Sequence, residues 1–239
     1  MNLDQLNAAI STPQAALEKA VELFGDRLTL ASSLGLEDQL LTHYLLTINP
    51  KAQIFVLDTG RLHPETYDVM AKTEAKYAMR YQVYYPNPQP LEAMVRSHGI
   101  NLFYESIENR KRCCQIRKVE PLKRALADVD AWITGLRRAQ SVTRLDLQIF
   151  EHADAHNIVK INPLANFSET DVRDEIKAHD VPYNVLHDHG FPSIGCAPCT
   201  RAIAPGDDVR AGRWWWEQPE QKECGLHLVD GKLVPKKGQ

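Results

Sequence analysis

Short apolar strands alternate with helices along most of the chain, and this order limits the fold more than any other feature. Residues 28–31 are predicted to form a strand, residues 32–35 a turn of small residues, and residues 37–48 a largely apolar helix. The order returns with a strand at residues 53–57 and a helix that Pro64 can begin. Such alternation predicts an α/β fold, a parallel sheet with helices on both faces.

Other segments extend this pattern before it breaks down. Further strands are predicted at residues 81–85, 131–134 and 158–161. A further helix is predicted at residues 17–24, between a start signal at Thr12-Pro13 and a stop at Gly25. Two more are predicted, one at residues 109–127 and one after a cap formed by Ser168 with Asp171. Beyond about residue 179, prolines and glycines interrupt all periodicity. We therefore expect residues 1–190 to form the α/β body, and residues 191–239 a loop-rich C-terminal segment of the same domain.

Composition and charge exclude several classes of protein. Of the 239 residues, 44% are hydrophobic and 25% charged, which is typical of a globular chain and not of a disordered one. No apolar run approaches the ~18 residues of a membrane-spanning helix, and no export signal is visible, so we expect a cytoplasmic protein without a membrane partner. A net charge of -3 disfavours nucleic acid as a partner.

The turn after the first strand, residues 32–38, has the sequence SSLGLED. A loop that leads from a strand into a helix offers free N–H groups and a partial positive charge to an anion. Ser32, Ser33 and Gly35 are therefore placed to bind a ligand. Because the segment has neither the Walker A lysine nor the G-x-G-x-x-G spacing, those two nucleotide sites are excluded. An ordinary capped turn is the alternative.

Four of the five cysteines stand in two pairs, Cys113-Cys114 and Cys196-x-x-Cys199. In a reducing compartment they indicate metal binding or catalysis rather than disulfides. Adjacent helical residues point about 100° apart, so the first pair suits the separate irons of a cluster better than one zinc ion. Lys118 follows Cys114 by one helical turn and can approach these sulfurs. A structural zinc ion and metal-free thiols remain alternatives.

The fifth cysteine, Cys224, stands between Lys222 and His227 near the C-terminus. A nucleophilic cysteine needs access and thiolate character, and nearby cations promote the thiolate. On this segment alone, an incidental exposed cysteine is an equal alternative.

Seven motifs carry a resemblance to a known family: residues 32–38, LDTG at 57–60, KRCCQIRK at 111–118, GLRR at 135–138, GCAPC at 195–199, RAGRWWW at 210–216 and ECGLH at 223–227. In this order they resemble the assimilatory sulfonucleotide reductases, specifically the iron-sulfur adenosine 5'-phosphosulfate (adenylylsulfate) reductases that use thioredoxin. The resemblance covers nearly the whole chain.

The resemblance implies an adenine nucleotide alpha hydrolase-like fold, a modified pyrophosphate loop at residues 32–38 and a 4Fe-4S cluster on the four paired cysteines. It also implies an oxidoreductase of sulfate assimilation and cysteine biosynthesis in which Cys224 is the nucleophile. Cys224 would take the sulfo group of adenosine 5'-phosphosulfate, adenosine monophosphate (AMP) would leave, and thioredoxin or glutaredoxin would release sulfite.

The same resemblance implies which residues bind the substrate. Cationic side chains would hold the phosphosulfate, and backbone groups would meet the adenosine. The cations are Lys118, Arg144, Arg210, Arg213 and His227, with Arg137 and Arg138 as further candidates; the backbone groups belong to Leu57 and Gly135.

Two other functions remain open. One is a reductase for 3'-phosphoadenosine 5'-phosphosulfate, or for both nucleotides, although reductases of the 3'-phosphorylated nucleotide typically lack the four cluster cysteines. The other is a non-catalytic, zinc-stabilised nucleotide-binding module in which Cys224 is incidental. A homo-oligomer also remains open.

Overall fold

The structure, a computed structural model, describes residues 2–140, 144–153 and 158–218. Its strands are β1 (Leu28–Ser32), β2 (Gln53–Leu57), β3 (Gln82–Tyr84), β4 (Ala131–Ile133), β5 (Phe150–Ala153) and β6 (Ile158–Ile161). Its helices are α1 (Leu3–Ala9), α2 (Pro13–Phe24), α3 (Leu36–Ile48), α4 (Pro64–Tyr77), α5 (Pro88–His98), α6 (Ile107–Cys114), α7 (Glu120–Ala125) and α8 (Glu169–Ala178).

The strands form one sheet in the order β3-β2-β1-β4-β6-β5. Neighbouring strands are parallel from β3 to β6, and β5 pairs with β6 in the antiparallel sense. The chain runs outward from β1 through β2 to β3 and then crosses to β4 on the other side of β1. Ligands bind where the strand order of an open sheet reverses in this way, so the carboxyl ends of β1 and β4 mark the expected site.

Alternate residues of the strands face two separate clusters. Ile54 and Val56 belong to the larger hydrophobic core, which contains buried residues of α2, α3, α4 and α8. Phe55, between them, packs with Trp132 of β4 and Leu122 of α7 in a second cluster. The prediction of helices on both faces of a mostly parallel sheet is therefore confirmed.

The structure adds elements that the sequence pattern did not predict. Helix α1 is too short to show a clear period, α5 begins with prolines at residues 88 and 90, and β5 is an antiparallel edge strand. The predicted helix at residues 109–127 is not uniform: the π-helical turn Gln115–Val119 separates α6 from α7. Such wide turns occur frequently at functional sites.

The C-terminal segment, as far as residue 218, is built from turns that pack on the α/β body. Its only helical element in that range after residue 191 is the 3-10 turn Ala197–Cys199. The backbone N–H of Ala197 donates to the carbonyl oxygen of Arg61 at 2.8 Å, which joins this turn to the loop after β2. Among the helices described, none is long and apolar enough to cross a membrane.

Asn7 of α1 holds the outer strand β5 through two hydrogen bonds. Its Nδ2 donates to the carbonyl oxygen of Phe150 at 2.9 Å, and its Oδ1 accepts from the N–H of Phe150 at 2.8 Å. With a net value near 1 kcal/mol for each bond, Asn7→Ala should lower the free energy of unfolding by roughly 2 kcal/mol in urea denaturation. The exposed Gln5→Ala on the same helix should change it by less than about 0.5 kcal/mol. Equal effects of the two substitutions would contradict this role.

Candidate active site

A cavity of about 270 Å³ opens where the strand order reverses. The predicted substrate-binding residues within the described ranges line it, except for the further candidate Arg138: Ser32, Ser33, Gly35, Leu57, Lys118, Gly135, Arg137, Arg144, Arg210 and Arg213. They come from loops after β1, β2 and β4, from the π-helical turn and from the C-terminal segment. The structure thus brings together residues that lie up to 181 positions apart, between Ser32 and Arg213. The remaining predicted site residues, Cys224 and His227, lie outside the described ranges.

The loop at residues 32–38 has the geometry of an anion-binding turn. Leu34 takes a positive φ of 63°, and its N–H donates to Ser32 Oγ at 3.2 Å. Helix α3 then begins after Gly35, which provides no side-chain cap for the first N–H groups. An anion in the cavity can therefore accept from the uncapped N-terminus of α3.

Asp38 is buried beneath this loop and shapes it. Its Oδ2 accepts from the N–H of Ser33 at 2.7 Å and from Ser33 Oγ at 2.6 Å. Burial raises the pKa of Asp38 to about 6, although the bonds from Ser33 oppose the shift. Gly135 lies so close that a Cβ there would meet Asp38 Oδ1 at 2.3 Å. A glycine is thus required at Gly135 for the loops after β1 and β4 to meet.

A second polar group links α3 to the loop after β4. Arg137 is buried and pairs with Glu37, Nη2 to Oε1 at 2.8 Å, and Gln140 Nε2 donates to the same Oε1 at 3.0 Å. Arg144 in turn donates to the Oε1 of Gln140. Arg137 therefore neutralises a carboxylate at the cavity wall. Arg138 donates hydrogen bonds to Leu147 and Asn166, neither of which lines the cavity.

The cationic wall of the cavity consists of Arg210 and Arg213 from the C-terminal segment and Lys118 from the π-helical turn. Arg213 is buried, and its Nη1 donates to Ser193 Oγ at 3.3 Å. Gly195 makes room for it, because a Cβ at that position would lie 2.4 Å from Arg213 Nη2. Guanidinium groups bind phosphate and sulfate oxygens by charge-assisted hydrogen bonds. Arg210, Arg213 and Lys118 therefore give the lining of the cavity positive charge that suits an anionic ligand.

Cys113, Cys114, Cys196 and Cys199 meet beside this wall. They share one cluster with buried Phe103 and Trp214, in which Cys114 is partly buried and the other three are buried. None of the four forms a disulfide. The two pairs thus come together, as predicted from their spacing.

The surroundings of the four sulfurs include hydrogen-bond donors. Thr59 Oγ1 lies 3.2 Å from Cys196 Sγ, and Arg117 is a hydrogen-bonding partner of the Cys113 thiol. The buried Nε1 of Trp214 has no partner among the described atoms. An acceptor such as a cluster sulfur would satisfy it, so the chemistry of this pocket fits an iron-sulfur group.

The geometry of the described side chains offers no ready-made set of ligands for a single metal ion. Within residues 2–140, 144–153 and 158–218, no three or more His, Cys, Asp or Glu side chains are grouped so that they could hold one ion. Four sulfurs around one zinc ion lie about 3.8 Å apart, given a Zn–S bond of about 2.3 Å. A 4Fe-4S cluster instead offers each of four cysteines a separate iron.

Two of the clustered thiols, Cys113 and Cys199, are poorly suited to nucleophilic attack. Burial raises the pKa of Cys113, and burial together with the neighbouring Cys196 raises the pKa of Cys199 to about 12. Nucleophilic cysteines have instead a lowered pKa and access to solvent.

Several cavity and cluster residues were not predicted from the sequence. Thr59 and Arg117 lie inside two of the seven sequence motifs, at 57–60 and 111–118, so those motifs could have identified them as site residues. Gln140 and His187 lie outside all seven motifs. His187 lines the cavity, and neither ring nitrogen has a partner among the described atoms. Burial lowers the pKa of His187, which keeps the ring neutral.

Comparison with known proteins identifies similar chains. Residues 27–202 match the family model of the phosphoadenosine phosphosulfate reductase domain. The chain is 53% identical over 210 residues to the adenosine 5'-phosphosulfate reductase of Burkholderia cepacia. The alignment covers 88% of this chain and 84% of that one. The chain is 52% identical to the protein of the same name from Allochromatium vinosum, and the alignment covers 84% of this chain and 79% of that one.

Solved structures agree with the fold. The phosphoadenylyl-sulfate reductase from Candida auris, a phosphate complex, has a TM-score of 0.71 at 30% identity and covers 84% of this chain and 95% of that one. An FMN adenylyltransferase from Candida glabrata has a TM-score of 0.56 at 15% identity, and the alignment covers 85% of this chain and 68% of that one. At this identity the similarity concerns only the fold. The predicted adenine nucleotide alpha hydrolase-like fold is confirmed.

Asp38 and Asp171 provide a matched test of the anion loop, because each accepts from the N–H and Oγ of a serine. The pKa of Asp38 is raised from 3.8 to about 6. Its contribution to stability is therefore greatest below about pH 4 and is lost as the pH rises through 6. Relative to Asp38→Asn, the wild-type free energy of unfolding should fall by about 2.5 kcal/mol between pH 4 and 7.5.

Asp171 is the exposed control, and hydrogen bonds from Ser168 lower its pKa. Relative to Asp171→Asn, the wild type should gain stability as the pH rises through the carboxyl range. Urea denaturation at several pH values measures both differences. Trends of the same sign for the two substitutions would show that burial does not dominate at Asp38.

Proposed function

The chain belongs to the phosphoadenosine phosphosulfate reductase family, and we propose that it reduces adenosine 5'-phosphosulfate to sulfite and AMP in sulfate assimilation, with thioredoxin as reductant. The observation that carries the proposal is the position of the cavity. One end lies at the anion-binding turn of α3, and Lys118, Arg210 and Arg213 line its wall beside the four clustered cysteines. Relatives at 52 and 53% identity are named for the same reaction.

The proposed chemistry has two thiol steps. The Cys224 thiolate attacks the sulfur of the phosphosulfate, the bond from that sulfur to the bridging oxygen breaks, and AMP leaves with the electron pair. The enzyme then carries an S-sulfocysteine. A thioredoxin thiolate attacks Cys224 Sγ and releases sulfite, and the second thioredoxin thiol resolves the mixed disulfide. Thioredoxin is oxidised, Cys224 returns to the thiol, and glutaredoxin could supply the same dithiol chemistry.

The substrate-binding residues support this sequence electrostatically. An anionic nucleophile must approach an anionic phosphosulfate, and that repulsion opposes the first step. Arg210, Arg213, Arg144 and Lys118 are assigned to the oxygens of the phosphosulfate, where charge develops as AMP leaves. His227 is assigned the same role by its place in the Cys224 motif.

The adenosine half is assigned to the opposite wall. Leu57 ends β2 and Gly135 follows β4, so their backbone groups can meet the base and the ribose. Ser32, Ser33 and Gly35 belong to the turn that would hold the 5'-phosphate.

Cys113, Cys114, Cys196 and Cys199 are the proposed ligands of a 4Fe-4S cluster. When bound, the cluster would supply a buried charge that orients nearby cations. Thr59 and Trp214 would donate to its sulfurs, and Lys118 would lie between it and the substrate. The coulombic influence of Lys118 on Cys199, which opposes the raised pKa of that thiol, supports this arrangement. Free thiols also favour a reducing compartment, the cytoplasm.

Cluster binding predicts a specific dependence on the buried cysteines. Anaerobically purified Cys199→Ser should lose most of its iron and acid-labile sulfide, whereas Cys224→Ser should keep both at the parent level. Metal analysis and the visible absorption spectrum measure this. Zinc without sulfide in the parent would favour the non-catalytic nucleotide-binding module.

The reaction itself is tested by initial rates of sulfite and AMP formation with reduced thioredoxin. The protein should turn over adenosine 5'-phosphosulfate, and Cys224→Ser should lower kcat by at least about a thousandfold, since it removes the nucleophile. Absence of turnover by protein that carries its cluster would contradict the proposal. Equal kcat/KM on the 3'-phosphorylated nucleotide would establish a dual-substrate reductase instead.

A further inference from the structure

Helix α6 carries a buried ion pair that the reaction does not use. Arg110 Nε donates to Glu217 Oε1 at 3.0 Å and Arg110 Nη2 to Oε2 at 2.8 Å. The two side chains are only 1% and 3% exposed. A charge is rarely buried so completely unless it is paired, and breaking such a pair costs several kcal/mol. Arg110 is not among the residues that line the cavity.

The pair joins two parts of the site. Arg110 precedes Cys113 and Cys114 on α6 by about one helical turn. Glu217 follows Trp214 in the C-terminal segment, and its N–H donates to the carbonyl oxygen of Trp214 at 2.9 Å. The pair therefore fixes the segment that carries the cavity arginines to the helix that carries two of the cysteines.

Trp214 lies at the centre of this connection. Its indole ring is 1% exposed and contacts three guanidinium groups: Arg110 at 4.7 Å, Arg213 at 4.7 Å and Arg210 at 5.9 Å from the ring centroid. Two of these arginines line the cavity, and the third is held by Glu217. Trp214 also has a positive φ of 41°, so its surroundings must hold it in an unfavourable backbone conformation.

We propose that Arg110 and Glu217 are positioning residues that hold Trp214, and through its ring the guanidinium groups of Arg210 and Arg213, at the sulfate end of the cavity. The proposal rests on the function inferred above. A cation stacked on a desolvated ring fixes the plane of that ring, and the bidentate pair fixes the cation. Arg110 thus acts on the substrate only through Trp214.

The test separates sulfate binding from nucleotide binding. In a cluster-loaded Cys224→Ser background, which prevents turnover, the affinities for adenosine 5'-phosphosulfate and AMP are measured by calorimetry. Arg110→Gln with Glu217→Gln leaves no unpaired charge but removes the ion pair and the cation–π contact. We expect this double variant to bind adenosine 5'-phosphosulfate about tenfold more weakly, whereas its affinity for AMP should change by less than about twofold. Arg110→Lys, which keeps the charge but not the bidentate geometry, should show a smaller loss of the same kind.

The matched control is a surface pair of the same chemistry. Arg124 bonds to Glu120 at 2.9 Å and lies 5.9 Å from the ring centroid of Tyr84, but both charged side chains are well exposed. Arg124→Gln with Glu120→Gln should change neither affinity. Equal losses for both nucleotides in the Arg110 variants, with iron content retained, would overturn the proposal, as would no loss at all. If the unsubstituted background binds both nucleotides equally, the sulfate site proposed above fails first, and this inference fails with it.

Discussion

The packing of four thiols, three of them buried, into one apolar cluster is the constraint on which the rest of the site depends. Cys113 and Cys114 end α6, while Cys196 and Cys199 flank a turn of the C-terminal segment. Bringing these pairs together requires a chain without regular structure to pack closely on the α/β body. Burial raises the pKa of Cys113 and Cys199, which disfavours their reaction as nucleophiles, and the proposed cluster accounts for the grouping of the four thiols in one place.

Packing around the cysteines also positions the cationic wall. The C-terminal segment that carries Cys196 and Cys199 continues through Arg210 and Arg213, and the π-helical turn after Cys114 carries Lys118. Three of the cations assigned to the phosphosulfate, Lys118, Arg210 and Arg213, thus lie on or next to an element that carries clustered cysteines. Arg144 and His227 do not. Loss of the sulfur-binding group would therefore disturb the anion site through the backbone as well as through charge.

The sequence predicted most of the central sheet, and its limits have physical reasons. Residues 53–57 and 158–161 are strands with the predicted bounds, because both are short runs rich in β-branched residues that favour strands. The antiparallel strand β5 is held partly by Asn7, a long-range contact without a local pattern. The π-helical turn at Gln115–Val119 was also missed, although Pro121, which has no N–H to donate to the preceding turn, follows it by two residues.

The site was predictable where a motif carried it and not where side chains pair over long distances. The cysteine pairs and the Ser32 loop follow from spacing and from family resemblance. Arg137, a candidate for anion binding, is instead paired with Glu37, which lies 100 positions earlier in the chain. The Arg110–Glu217 pair spans 107 positions. No local pattern encodes such partners.

The central claim, that sulfur passes from the nucleotide to a cysteine of this chain, is tested most directly by mass. Cluster-loaded protein is mixed anaerobically with adenosine 5'-phosphosulfate, and the intact mass and the peptide that carries Cys224 are measured. We predict the gain of one SO3 group on Cys224, which reduced thioredoxin removes as sulfite. An unchanged mass in protein with full iron content, or an adduct on a different cysteine, would contradict the account.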